Sequence, residues 1–258
     1  MRNFITDRPS KRKTVLLAAF WLLVWQISYW VIGKEVIFPS PANTLQALGQ
    51  MIVSEGFYQD VGATMFRVIL GIVISFAAGL GTAVAAHFIF VVKDIMGAAI
   101  HVLKSTPVMA VIIFALLWLP SGEVPVFVCF LMCYPIVYTN VLAGLESMSK
   151  EYLEMSHIYH IRRSDLIRFI YLPFVMPHLK SAMSLTTGLS WKTVVAAEVL
   201  SSPDYSMGYN LLNAKVYLET ESLFAWIIAI VTFSIVFEKG VNFLLKGKTR
   251  GVKHDRNS

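Results

Sequence analysis

Charged residues are scarce in this sequence of 258 residues, and their scarcity excludes an ordinary soluble domain. Asp, Glu, Lys and Arg together make up 15% of the chain, whereas hydrophobic residues make up 56%. A soluble domain of typical composition carries about 25% charged residues. Because the surplus of apolar side chains needs an apolar solvent, the composition predicts a polytopic membrane protein.

Cysteine is nearly absent, which argues against a disulfide framework and against a thiolate metal site. The only two, Cys129 and Cys133, lie four residues apart inside an apolar run and therefore share a helix face. This spacing is unfavourable for a disulfide within one helix, and neither residue has neighbouring metal ligands. We interpret both as small apolar packing residues and expect no metal site in this chain.

Signatures of covalent chemistry are missing as well. The sequence has no G-x-x-x-x-G-K-[ST] phosphate loop, no H-E-x-x-H motif and no nucleophile-elbow serine. His157 and His160 lack a third ligand and lie among arginines, which repel a metal cation. We therefore predict no catalytic residue and no bound cofactor. Two other classes remain open: an intramembrane hydrolase or lipid-modifying transferase, which needs paired ionisable residues at one depth, and a passive channel.

The N-terminus does not have the pattern of a cleavable signal peptide. A basic start leads into an apolar run of about twenty residues, and no small-residue cleavage site follows it. We interpret this run as the first membrane helix. The chain is thus divided into a basic N-terminus at 1–13, a membrane domain at 14–245 and a basic tail at 246–258.

Long apolar runs predict an all-α bundle of about six membrane-spanning helices. A run of about twenty residues crosses the hydrocarbon core as a helix, since backbone polar groups must be satisfied within the segment. Small residues in the second run, such as Gly71 and Gly79, predict close helix contact. We place a turn at Lys93 and Asp94 and a loop around Pro203. The predicted spans are 14–33, 65–91, 96–119, 126–145, 174–200 and 223–245.

The net charge of +6 is distributed as a membrane topology signal. Basic residues are concentrated at both termini and in short segments between apolar runs, which is a poor surface for following a phosphate backbone. We therefore predict no nucleic-acid partner. Basic residues are enriched on the cytoplasmic side of membrane proteins, and this rule places both termini in the cytoplasm.

The longest charged stretch between apolar runs is Glu154–Pro173, EMSHIYHIRRSDLIRFIYLP, within a predicted cytoplasmic loop at 146–173. The pattern predicts a helix that ends near His160, a charged turn and a second amphipathic helix. Such a segment presents apolar and charged side chains that can set the orientation of a partner. From the residues alone, an ordinary basic loop that only fixes topology is the alternative.

This stretch resembles the cytoplasmic loop of permease subunits of bacterial ABC importers, which reads E-A-A, then glycine four residues on, then a distant I-x-L-P. Glu154 opens the motif here, and Ile170–Pro173 closes it at the family spacing. Met155 and Ser156 replace the two alanines, and His160 stands in place of the glycine. Glycine at that position allows a turn at positive φ between two short helices. Further pieces similar to the branch that moves nitrate, taurine, alkanesulfonates and thiamine precursors are Phe38–Pro41, Arg67 with Gly71, Lys104–Pro107, Ser190–Lys192 and Ala197–Glu198.

The resemblance implies a non-catalytic, membrane-spanning subunit of the bacterial plasma membrane. It implies two ATPase subunits that use ATP and Mg²⁺, a second permease copy in a homodimer, and an extracytoplasmic substrate-binding protein. The imported solute is expected to be a small polar molecule: a sulfonate, a nitrate-like anion or a pyrimidine precursor. The expected mechanism is alternating access. The residues implied in ATPase coupling are Glu154, Met155, Ser156, His160, Ile161, Arg162, Arg163, Asp165, Leu172 and Pro173.

The fifth predicted span carries a polar stripe. At 100° per residue, Lys180, Ser184, Thr187, Trp191 and Glu198 fall in one narrow sector. Polar side chains within a bilayer face a bundle interior or a water-filled cavity, because a charge near the bilayer centre is costly. The candidate translocation residues are Lys104, Pro107, Ser184, Thr187, Trp191, Lys192 and Glu198.

Two alternatives to the pathway interpretation stay open. Glu198 has a possible structural role as the partner of a basic residue on another helix, such as Arg67. Lys104 and Pro107 lie inside the third predicted span, where a proline marks a kink that serves either the pathway or the packing.

Overall fold

A computed structural model of the chain describes residues 11–246. These residues form eleven α-helices, with one π-helical segment between α8 and α9. The helices are α1 Lys11–Ile32, α2 Pro41–Val53, α3 Glu55–Phe88, α4 Phe90–Ser105, α5 Val108–Leu116, α6 Val124–Glu146, α7 Lys150–Ile158, α8 Arg163–Leu166, α9 Leu172–Ser201, α10 Met207–Val216 and α11 Thr220–Lys246, and the π segment is Ile167–Tyr171. The all-α prediction is confirmed.

The helices are distributed over two compact units. The first contains the chain up to Tyr58 together with Asn210–Ala229. In it Trp25 donates a hydrogen bond to the carbonyl of Pro39, and its ring lies 5.7 Å from that of Phe224. The second unit contains Gln59–Tyr209 and the described residues from Ile230 onward, and it holds the charged segment, the buried ion pair and the α3–α6 contact described below.

Within residues 11–246, four helices are long and apolar enough to cross a membrane. They are Val15–Ile32, Glu55–Phe88, Val124–Glu146 and Thr220–Leu245. The predicted third span is not one straight helix, which corrects the sequence interpretation. It is a pair, Phe90–Ser105 and Val108–Leu116, bent by 100° at the break before Val108. Pro107 lacks a backbone N–H and disfavours the helical conformation of the residue before it, which explains the break.

The predicted fifth span exists as the helix α9, but it is less apolar than the four spanning helices. Its 30 residues extend for about 45 Å, more than the hydrocarbon core requires. Thr186, Thr187 and Ser190 are buried by neighbouring protein rather than exposed. Their hydroxyls donate to carbonyls of the preceding turn at 2.6–3.0 Å. A helix enclosed by protein can carry such residues, so apolarity is not required of it.

Close contact between α3 and α6 confirms the prediction from the small residues. A Cβ added to Gly71 would lie 2.6 Å from Cys129 Sγ, and one added to Gly79 would lie 2.8 Å from Val137 Cβ. The hydroxyl of Ser75, between them, donates to the carbonyls of Gly71 and Phe130 at 2.7 and 3.3 Å. Only a residue without a side chain permits this approach of the two backbones.

Other boundaries differ from the sequence prediction. Lys93 and Asp94 do not form a turn but lie within α4, and the interruption falls at Ile89. The predicted loop around Pro203 contains a further helix, α10. The backbone is also helical without interruption from Arg163 to Ser201, so the fifth span continues directly from the charged segment. Tertiary contacts, rather than local composition, fix these boundaries.

Candidate functional site

The charged segment folds as two helices joined by a tight turn at His160. α7 ends at Ile158, and His160 takes the left-handed conformation with φ of 49°. The N–H of Ile161 donates to the carbonyl of Ser156 at 3.0 Å. This bond and the positive φ together are a Schellman cap, the helix ending that most often uses glycine. Histidine therefore keeps the backbone geometry that glycine would give.

The second helix of the segment, α8, begins directly after this turn. Arg162 is extended, and its carbonyl accepts from the N–H groups of Asp165 and Leu166 at 3.0 and 2.9 Å. Asp165 lies in the first turn of α8, where its negative charge is favourable next to the exposed backbone N–H groups. The turn between α7 and α8 is therefore closed by backbone bonds on both sides.

The surface of the segment is a mixture of charged and large apolar side chains. Ile158 and Tyr159 are 73% and 74% exposed, and Ile167 and Phe169 are 61% and 67% exposed. The Arg168 guanidinium lies 5.6 Å from the centre of the Phe169 ring. Among the sequence candidates, the exposed ones are Glu154, Met155, His160, Arg162, Arg163, Leu172 and Pro173, the half-buried ones are Ile161 and Asp165, and the buried one is Ser156.

The segment is anchored where it enters α9. Ile170 is buried, and the Tyr152 ring of α7 lies 5.5 Å from the Phe174 ring of α9. A Cβ added to Gly144 of α6 would lie 3.1 Å from the Cα of Val175, so α6 also packs closely on this end of α9. The π segment ends two residues before Pro173, which has no N–H to continue α-helical bonding. Ring packing and a continuous helical backbone therefore tie the segment to α9.

A buried ion pair lies near the other end of α9. Arg67 Nη1 of α3 donates to Glu198 Oε1 at 2.8 Å, and Glu198 is fully buried. The Thr64 hydroxyl lies 3.0 Å from both carboxylate oxygens. The N–H of Gly208, in α10, donates to Oε2 at 3.1 Å. These contacts satisfy the hydrogen-bonding capacity of the buried carboxylate. A buried ion pair is stable only when its hydrogen bonds are satisfied in this way.

The same residues fix the loop after α9. Arg67 donates to the carbonyls of Asp204 and Tyr205 at 3.1 and 3.0 Å. Thr64 accepts from the N–H of Met207 at 3.1 Å. Gly208 approaches α9 so closely that an added Cβ would lie 2.5 Å from the Cβ of Glu198. We call Thr64, Arg67, Glu198 and Gly208 the ion-pair cluster; it joins α3, α9 and α10.

The seven translocation candidates are not brought together as one lined surface. Thr187, Trp191 and Glu198 are buried in α9, Ser184 is half-buried and Lys192 is exposed. The Trp191 ring lies 6.1 Å from that of Phe237. Lys104 and Pro107 are exposed at the bend between α4 and α5, and Pro107 lines a groove of about 570 Å³ there. For Glu198, the structure shows the pairing with Arg67 that the sequence left as an alternative.

Sequence reasoning did not identify Thr64 and Gly208. Thr64 lies three residues before Arg67, on the same face of α3, and this spacing is a usable signal once Arg67 is chosen as the partner of Glu198. Gly208 lies five residues after Pro203, in the region predicted as a loop, and nothing local in the sequence indicates that its N–H reaches a carboxylate ten residues earlier. That contact depends on how the chain folds back after α9.

These features define a class: a polytopic helical membrane protein with a charged helix–turn–helix segment and a buried ion pair at opposite ends of one helix. A sequence model of the family described as "Binding-protein-dependent transport system inner membrane component" matches residues 77–247. The match covers more than half of the chain and includes the whole charged segment. The chain therefore belongs to this family, the permease subunits of binding-protein-dependent ABC importers.

Curated relatives agree with this assignment. The chain is 23% identical over 226 residues to the putative aliphatic sulfonates transport permease protein SsuC of Bacillus subtilis (strain 168), covering 87% of this chain and 80% of the relative. It is 22% identical over 251 residues to the taurine transport system permease protein TauC of Escherichia coli (strain K12), covering 93% and 91%. Both relatives are transport permeases.

Solved structures share the fold. A bacterial ABC transporter involved in the import of the acidic polysaccharide alginate matches with a TM-score of 0.65 and 14% identity, covering 92% of this chain and 95% of that one. The MetNI methionine ABC transporter, in an inward-facing conformation, matches with a TM-score of 0.61 and 13% identity, covering 74% and 94%. At these identities the likeness is one of fold.

Proposed function

We propose that this chain is the permease of an importer for small organic sulfonates, driven by ATPase subunits that dock on the segment Glu154–Pro173. The names of the two relatives support the sulfonate class. A nitrate-like anion and a pyrimidine precursor are the other candidates from the family resemblance. ATP and Mg²⁺ would be used by the ATPase subunits, and the chain itself would carry out no covalent step.

The observation that carries the docking proposal is the geometry of the segment. Large apolar side chains such as Tyr159 and Phe169 are exposed beside the charges of Arg162 and Arg163. An exposed mixture of this kind is typical of interaction surfaces, where apolar anchors supply affinity and charges set orientation. An ordinary topology-fixing loop needs neither the exposed aromatic side chains nor the capped turn at His160.

Coupling would follow from the continuity of the helix. The backbone from Arg163 to Ser201 is helical without interruption, so a partner that moves the segment also moves α9. Closure of two ATPase subunits would draw two such segments together, and the two copies of α9 would switch the pathway between inward and outward access. This scheme requires a second permease copy, which we propose is a homodimer, and an extracytoplasmic binding protein that delivers the solute.

The topology proposed with this scheme places the segment and both termini in the cytoplasm of the bacterial cell. Basic residues support it, because they are concentrated in the segments assigned to the inner side. The membrane domain is then 14–245, flanked by the basic stretches 1–13 and 246–258. The candidate pathway residues on α9 and at Lys104 and Pro107 stay a prediction within this scheme.

The test is charge reversal in the segment. Glu154→Arg combined with Arg163→Glu should abolish co-purification of the ATPase and uptake of labelled taurine, because both charges are exposed on the proposed docking surface. The matched control is Lys215→Glu combined with Glu219→Arg, two exposed residues outside the segment. Retention of the ATPase by the segment variant would contradict docking. A wild-type chain that binds the ATPase without taking up a sulfonate would contradict only the substrate class.

A further inference from the structure

A groove of about 640 Å³ lies between α3 and the first half of α6. Its walls are mostly apolar and include Phe66, Leu70, Ile74 and Phe127. Two charged residues, Arg67 and Glu123, also line it. Neither the docking segment nor the α4–α5 bend contributes a residue, so the proposed transport cycle does not explain this groove.

The charged residues lie at one end of the groove. Gly71 contacts Cys129 and Gly79 contacts Val137, so α3 and α6 run side by side in the same direction. Arg67 is therefore level with the start of α6, which Glu123 immediately precedes. Ile74 lies seven residues further along α3, about 10 Å deeper. The groove is polar at one end and apolar for the rest of its length.

Its setting is the surface of two helices that are long and apolar enough to span a membrane. Glu123 stands at the end of one span, where lipid headgroups meet the hydrocarbon core. Phe66 is 64% exposed at the mouth of the groove. The polar end and the apolar walls thus match the two parts of a phospholipid, its headgroup and its acyl chain.

The charges at the polar end select among headgroups. The hydrogen bonds of Arg67 to Glu198, Tyr205 and Asp204 use three of its five N–H groups, which leaves two for a ligand. The Arg67 cation is already balanced by Glu198, whereas Glu123 adds a second, exposed carboxylate. This end is therefore net negative, which favours a headgroup that carries an ammonium group as well as a phosphate.

We propose that the groove binds one phospholipid with a zwitterionic, amine-bearing headgroup. The lipid phosphate accepts hydrogen bonds from the remaining N–H groups of Arg67, and the lipid ammonium group pairs with Glu123. One acyl chain lies along Leu70 and Ile74. A helix of a second copy of this chain, the other apolar occupant available in a membrane, would leave the charged end without a matching partner.

The test is retention of defined lipids by the full chain. Purified protein is incubated with an equimolar mixture of phosphatidylethanolamine and phosphatidylglycerol, washed with detergent and examined by native mass spectrometry. The wild-type protein should retain phosphatidylethanolamine in preference to phosphatidylglycerol. Ile74→Trp should lower retention at least about fivefold, because the indole fills the acyl-chain part of the groove. Val73→Trp is the matched control, since Val73 is the adjacent exposed residue on α3 and does not line the groove.

A second pair of variants tests the headgroup. Glu123→Gln should lower the preference for phosphatidylethanolamine about threefold, the size expected for an exposed ion pair, whereas Glu55→Gln should leave it unchanged. Equal retention by Ile74→Trp and Val73→Trp, or equal binding of the two lipids by wild type, would overturn the proposal. So would efficient oxidative cross-linking of Ile74→Cys into dimers in membranes, because a second copy would then occupy the groove.

Discussion

His160 marks the main departure from the family pattern at the scale of single residues. A non-glycine residue in the left-handed conformation costs roughly 1–2 kcal/mol. The turn keeps this conformation because the N–H of Ile161 reaches the carbonyl of Ser156 and the carbonyl of Arg162 begins the next helix. Local bonding on both sides therefore fixes the turn, and the side chain at 160 is exposed and available to a partner.

Substitutions at this position should separate backbone geometry from side-chain chemistry. His160→Gly should keep ATPase co-purification and solute uptake, because glycine adopts positive φ freely. His160→Val should lower both several-fold, since a β-branched residue is a genuine outlier in that region. Ile158→Val, which places the same β-branched residue two positions earlier at an exposed site, should behave as wild type. Full activity of His160→Val would show that the capped turn is not needed for docking.

At the scale of elements, the ion-pair cluster determines how α3, α9 and α10 meet. A single carboxylate, Glu198, receives hydrogen bonds from Thr64, Arg67 and Gly208. The loop that follows α9 is fixed in turn by Arg67 through two carbonyls. Glu198 is fully buried in this conformation, where its carboxylate joins these three elements.

Removing one partner of this pair should therefore destabilise the protein more than removing both. Glu198→Gln leaves the Arg67 cation without its counter-ion and should cost about 3–5 kcal/mol. Glu198→Gln combined with Arg67→Gln should cost less than Glu198→Gln alone, as thermal unfolding in detergent would show. Glu238→Gln removes an exposed carboxylate as the control. Additive losses, together with an uptake defect in a stable Glu198→Gln protein, would instead favour direct contact with the solute.

At the scale of the whole molecule, α9 separates the two functional regions. The charged segment enters it at Leu172, and Glu198 of the ion-pair cluster lies 26 residues further on, about 39 Å along the helix. This length exceeds the hydrocarbon thickness of a bilayer. Under the proposed topology, we therefore expect the segment and the loop after α9 to lie on opposite sides of the membrane.

Thiol labelling tests whether the two regions lie on opposite sides of the membrane and which of them faces the cytoplasm. The two native cysteines are fully buried, so they give little background. Ser164→Cys should react with a membrane-impermeant maleimide only after the cells are permeabilised, whereas Asp204→Cys should react in intact spheroplasts. Both positions are exposed. Reaction of Ser164→Cys from outside would place the segment beyond the reach of any cytoplasmic ATPase and would refute the proposed function.

Much of this arrangement was predictable from sequence. Apolar runs long enough to cross a membrane identified the helical class, and the motif from Glu154 to Pro173 identified the family that the sequence model confirmed. The bend at Pro107 was predicted only as a kink. Its 100° angle depends on α4 and α5 each packing against α6, which local composition does not encode.

The amino-acid sequence by itself determined that this protein lies in a membrane, that its long apolar segments are helical, and where a charged surface is presented. These properties follow from composition and local pattern, because a bilayer requires apolar side chains and satisfied backbone bonds. Only the tertiary structure decided that Glu198 pairs with Arg67 and that Gly208 completes the cluster. It also decided that α3 and α6 form a groove with one charged end. Those contacts join residues distant in the chain, and the packing of helices, not the sequence between them, sets their geometry.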